Sequence, residues 1–263
     1  MIAFLKKYEI WVFLALAPLS HAVMAYAMRI ELINSFTYNN GRFYALFFLL
    51  VFIVVITKGF NAILDLFRPM LKWKVHPKWY LFSLLFAFSL GILTLVLKAA
   101  LDGNIAILDF SLNVPTLNFS VWLLSWAFLG EVVWISYSVR ELSKSMKPFY
   151  ASQIVGFVWS LWWLPSIYIN VGVIEELPIV PLFLNMMGAA GMCAIVYAKT
   201  KSGIAVLIIQ YMLNMSLILL PISPVGGGGS TYTMYAIIYF LTMLGFMYFI
   251  PIKANSFTNK GHK

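Results

Sequence analysis

Long apolar runs separated by short polar breaks set the pattern of this chain. The runs cover 10–28, 43–67, 80–101, 119–139, 150–170, 182–198, 202–220 and 231–252. Each is close to the ~20 residues that a helix needs to cross the ~30 Å hydrocarbon core of a bilayer. The pattern predicts an all-α polytopic membrane bundle of about eight transmembrane helices, forming one integral membrane domain over 1–263. The breaks alternate in charge. Those at 68–78, 140–147 and 199–201 are basic, whereas 102–118 and 171–181 carry Asp102, Asp109, Glu175 and Glu176 and no Lys or Arg. Basic loops stay in the cytoplasm, so both termini are expected there, with Lys253, Lys260 and Lys263 in the tail.

Some breaks carry finer signals. The stretch 29–42 reads as a polar loop with Asn39-Asn40-Gly41 as its turn. Lys58 and Asp65 interrupt the second run, and Lys58 is long enough to snorkel towards the basic loop that follows. The glycine run at 226–230 reads as a flexible link between the last two spans. The start of the chain, with Lys6 and Lys7 and no small-residue cleavage signature after its first apolar run, reads as a retained helix.

Composition narrows the class further. The chain is 62% hydrophobic and 10% charged, with a mean hydropathy of +0.90, well away from the ~25% charged residues of soluble domains. Its net charge of +9 resides in short loops instead of one soluble face, so topology accounts for it and nucleic acid is not an expected partner. The lone cysteine, Cys193, excludes an intramolecular disulfide and a cysteine metal cluster.

Candidate chemistry centres on Glu131, the acid set deepest in an apolar run. An ionisable group at that depth is by default a functional-site hypothesis, with a structural hydrogen bond to a neighbouring helix as the alternative. His21 reads as a hydrogen-bonded packing group, because no second histidine stands nearby to complete a metal site. Helical spacing gathers Ser152, Gly156, Trp159, Ser160 and Trp163 near one face of the fifth span, a close-packing stripe. Gln210 and Asn214, four apart, point the same way from the seventh. At ~1.5 Å per residue from the basic turns, Glu131, Trp159 and Gln210 share one depth of roughly 12–14 Å. A polar pocket among spans four, five and seven is therefore expected. One carboxylate and two amides do not make a zinc site, and no cofactor is expected.

Gly130-Glu131, then Ala151-Ser152 with Gly156, Trp159, Leu161-Trp162 and Leu164-Pro165, then Tyr197, Thr200, Ser202 and Asn214 together resemble the CAAX-protease and bacteriocin-processing (CPBP, or Abi) family of intramembrane endopeptidases. The likeness covers about 119–220. It implies Glu-Glu-x-x-x-Arg, Phe-x-x-x-His and His-x-x-x-Asn/Asp motifs that converge so that glutamate and histidine activate water for peptide hydrolysis. Here Glu131 keeps the first acid, but Val132 and Ser136 stand at the second acid and the arginine. The second motif reads Trp159 to Trp163, and in the third Gln210 replaces the histidine while Asn214 is retained. Neither Trp163 nor Gln210 takes up a proton near neutral pH, so Glu131 alone remains as a catalytic base.

Three function classes follow. One is a catalytically degenerate, CPBP-like scaffold or partner-binding subunit in a bacterial cytoplasmic membrane, with the bilayer and a membrane-protein or peptide partner around it. The second is an active endopeptidase with altered residues. The third is a small proton-linked transporter using Glu131. The site residues expected are Glu131 as the one retained motif acid, with Ser136, Trp159, Trp163, Gln210 and Asn214 lining the pocket.

Overall fold

The computed structural model describes residues 2–250 together with Ile252 and Phe257; the tail lysines Lys253, Lys260 and Lys263 lie outside the described residues. Helices occupy all eight apolar stretches: α1 (Ile2–Arg29), α2 (Ser35–Lys58), α4 (Pro77–Asp102), α5 (Leu117–Gly130), α7 (Pro148–Ile169), α8 (Ile179–Thr200), α9 (Gly203–Leu219) and α10 (Pro224–Phe249). Between them lie the short α3 (Asn61–Phe67) and α6 (Arg140–Leu142). Among the described residues six helices are long and apolar enough to cross a membrane: α1, α2, α4, the continuous Leu117–Leu142, α8 and α10. The apolar α9 is shorter, at 17 residues.

The centre of the bundle is α8, which packs against α7 on one side and α10 on the other. Residues 188–197 are buried without a break. Small side chains make this possible. A Cβ on Gly156 of α7 would stand 2.6 Å from the Met187 Cα of α8, so the two backbones touch there. The same holds on the far side, where a Cβ on Gly191 would meet the Met243 side chain of α10 at 2.5 Å. Around this core, α1 packs on α2 and α7, and α4 packs on α9 and α10.

The structure corrects three details of the expected boundaries. The polar loop at 29–42 is much shorter, because Asn34 accepts from the Thr37 amide at 2.8 Å and caps α2. Asn39, Asn40 and Gly41 are therefore helical, and Asn40 donates to the Phe36 carbonyl at 3.0 Å. The second run does not continue to Phe67: Gly59, at φ 85°, ends α2, and α3 begins separately. The glycine run at 226–230 is the first part of α10, capped by Ser223 and led by Pro224, with only Gly228 departing from helical geometry at φ 81°.

A nine-residue segment in the middle of the bundle departs from the α pattern. Glu131–Val139 continues α5 as a π-helix, and all nine of its residues are buried. Its wider coil pairs groups five positions apart, and the Ser138 hydroxyl donates to the Val133 carbonyl at 2.8 Å. The segment runs against α7, α8 and α9 in the middle of the bundle.

Candidate functional site: a cavity beside Glu131

A cavity of about 390 Å³ opens among α2, α5, α7, α8 and α9. Trp159 and Trp163 of α7 line it, as do Gln210 and Asn214 of α9. Four positions expected in a pocket thus share one, because residues 159 and 163, like 210 and 214, lie one turn apart on their helices. The structure adds Asn39 and Arg42 from α2, Gly130 and Trp134 from the helix bearing Glu131, and Asn185 from α8.

Glu131 and Ser136 stand outside this cavity. Glu131 is 0% exposed, and its Oε1 accepts from the Ser136 hydroxyl at 2.6 Å. In an α-helix, side chains five apart diverge by ~140°, since each residue turns ~100°. The π-helix turns less per residue and brings them to one side. Ser136, expected to line the pocket, is not among the residues that line this cavity; the wide coil turns it back onto its own helix. It also puts the partner of Glu131 on that helix instead of α7 or α9. Gln210, which lines the cavity, approaches this helix at Gly130, where its Oε1 would lie 3.4 Å from an added Cβ. The Glu131 Oε2 has no hydrogen-bond partner among the described residues. Arg140, the first basic residue after it, donates to the Asp65 carbonyl at 3.1 Å instead.

Arg42, expected in a polar loop, lies in α2 and lines the cavity. It is 1% exposed, one of the largest side chains to be so enclosed. Its guanidinium donates to the Ser166 hydroxyl and the Gly172 carbonyl. The rings of Phe43, Trp163, Tyr38 and Trp162 surround it with centroids at 5.0, 5.1, 5.3 and 5.9 Å. Such contacts stabilise a desolvated cation by about 2 kcal/mol or more. Trp163, at the position where the resemblance expects an imidazole, is thus one wall of an aromatic cage.

His21 joins the same cluster from α1. Its Nδ1 faces the Trp162 carbonyl, which only accepts, so Nδ1 carries the proton. Its Nε2 is 2.7 Å from the Tyr38 hydroxyl, which is 2.8 Å from the Ser166 hydroxyl. One direction satisfies every group: Arg42 donates to Ser166, Ser166 to Tyr38, and Tyr38 to His21. Pro165, inside α7, has no N–H to offer the Leu161 carbonyl, one residue before Trp162, and so interrupts the helical ladder beside this bond. His21 is therefore a hydrogen-bonded tie between α1, α2 and α7. Among the described residues no three of His, Cys, Asp and Glu come together as a metal-holding group.

Charged groups form a second cluster at the other end of α2. The Tyr137 hydroxyl donates to the buried Glu9 at 2.6 Å, Lys58 pairs with Glu9 at 2.7 Å and with Glu141 at 3.2 Å, and Lys144 pairs with Glu141 at 2.7 Å. Lys58 reaches across helices to do this. No protein-family model matches the chain, and no curated protein matches it.

Proposed function

We propose that the chain is an eight-span membrane protein, with both termini in the cytoplasm, that is built like the CPBP endopeptidases but works by binding instead of hydrolysis. A bacterial cytoplasmic membrane is the setting this reading implies, and a membrane-protein or peptide partner its object. The observation that carries it is the separation of acid from cavity. Activating a water needs a base within hydrogen-bond reach of it, about 2.6–3.2 Å, with partners that orient the water. Glu131 is closed off with Ser136, while the residues lining the cavity include neither a carboxylate nor an imidazole to accept a proton from water. The groups that hydrolysis requires act as a unit, so one retained acid does not substitute for the set.

The test is reconstituted protein incubated with prenylated and unmodified peptides. No Glu131-dependent cleavage is expected. Cleavage that Glu131→Gln abolishes, and that Gly229→Ala at an open position retains, overturns the proposal.

A further inference from the structure

We infer that the cavity is a binding site for a single-chain amphiphile with an anionic head, carboxylate or phosphate, seated on Arg42. The inference rests on reading the cavity as a binding site, and adds the chemical class of its occupant.

Charge is the first reason. Among the described residues no carboxylate forms an ion pair with Arg42, although the side chain is 1% exposed. A buried cation is costly unless it is paired, and the aromatic cage offsets only part of that cost. Hydrogen bonding is the second. Among the described residues the Arg42 Nε and the Asn185 Nδ2 are buried donors without partners, and both residues line this one cavity. Buried polar groups are nearly always bonded, so two unmatched donors beside one space point to an acceptor that fills it. Asn39 Oδ1 and Asn185 Oδ1 are acceptors without a partner among the described residues, in the same wall, and suit a head-group hydroxyl or a water.

Shape is the third. Arg42 and Asn39 lie in the first two turns of α2, beside Gly172 in the link after α7, so the polar end of the cavity is at one end of the bundle. Gly172 adopts φ +69° and lets its carbonyl approach the guanidinium, where a Cβ would stand 2.9 Å from both Arg42 Nη atoms. Further in, Trp134, Trp159, Leu213 and Met186 form apolar walls. A volume of about 390 Å³ lies within the ~300–1,000 Å³ of small-molecule sites. A free inorganic anion matches Arg42 but leaves the apolar part without an occupant. An amphiphile matches both.

The experiment is native mass spectrometry and thermal denaturation of the full chain in a neutral detergent. The probes are oleate, hexadecyl phosphate, oleyl alcohol and inorganic phosphate. Expected are one bound oleate or hexadecyl phosphate per chain and a raised melting temperature, with oleyl alcohol at least tenfold weaker and inorganic phosphate without effect. Arg42→Gln should weaken the two anionic amphiphiles tenfold or more, and Arg42→Lys less. Because Arg42→Gln also removes bonds to Ser166 and Gly172, Ala127→Phe, which fills the apolar wall and leaves Arg42 intact, should weaken them as well. Equal binding of oleate and oleyl alcohol, binding of inorganic phosphate as strong as that of its alkyl ester, or anionic binding unchanged in folded Arg42→Gln and Ala127→Phe proteins overturns the inference. Peptide cleavage in the separate hydrolysis assay removes the non-hydrolytic reading and leaves the amphiphile site standing.

Discussion

Ser136 donates to Glu131 at 2.6 Å across five positions of one helix, and the π-helical coil is what brings the two together. Ser136→Ala leaves the carboxyl group without its hydrogen-bond donor in a fully buried place, at a cost of about 1–3 kcal/mol. A lowered denaturation midpoint is expected for Ser136→Ala. Combined with Glu131→Leu, which removes the stranded carboxyl group, the loss should be smaller than the sum of the two single changes. Simple additivity in this double-mutant cycle would show that the bond contributes nothing.

Gly156 is expected to tolerate no side chain. Its Cβ would press on the backbone of Met187 and the carbonyl of Met186, atoms that cannot rotate away. Gly156→Ala should cost about 1–3 kcal/mol through overpacking. Gly229→Ala, with nothing within 4 Å, should be neutral in the same thermal assay. Equal midpoints for the two variants would refute the close approach of α7 and α8.

Tyr38→Phe removes the hydroxyl that joins His21 to Ser166. The expected loss is modest, about 0.6 kcal/mol for an average bond between membrane helices. Ser166 already lies 3.3 Å from the His21 Nε2 and is placed to close the gap. A loss several times larger, measured by denaturant unfolding in mixed micelles, would mean that the chain of bonds acts cooperatively.

Lys201 supplies a pH dependence from outside the spans. It caps α8 at φ 59°, and burial, with the Lys72 ammonium adding to it, lowers its amine from 10.5 to about 8. Between those values the unfolded chain holds the proton that the folded chain has released, so stability rises with pH over that window. Below about 8 both states hold the proton and this contribution is flat. The rise should vanish in Lys201→Met when melting temperature is followed from pH 7 to 10.5. A rise that persists in that variant would assign it to another group.

Sidedness is open to chemical labelling, since the one native cysteine, Cys193, is buried. Single cysteines at Lys74 and Lys144 should react from the cytoplasmic side, and those at Glu31, Asp109 and Glu175 from the other, if the loop charges set the orientation. Labelling of Glu31 and Lys74 positions from the same side would reverse that part of the topology.

The four cavity residues on α7 and α9 were legible because helical periodicity alone decides which side chains share a face. Arg42 was not. Asn39-Asn40-Gly41 carries a strong turn signal, and the competing signal, Asn34 as a cap three residues before Thr37, is local and easily outweighed. Ser136 enters the expected pocket only as the arginine position of the resemblance, and the π-helix leaves no mark that periodicity detects, so its bond to Glu131 is not legible in the sequence. The partners of His21 lie 17, 141 and 145 positions away, and contacts of that separation come from the packing of α1 on α2 and α7.

The π-helical segment also alters how its span meets the bilayer. A straight α-helix of 26 residues, the length of Leu117–Leu142, would extend ~39 Å against a hydrocarbon layer of ~30 Å. Nine of those residues wind in a broader coil that advances less along the axis, so the span is shorter than its residue count implies. Its hydrophobic mismatch is thereby smaller than that of an unbroken α-helix with the same number of residues.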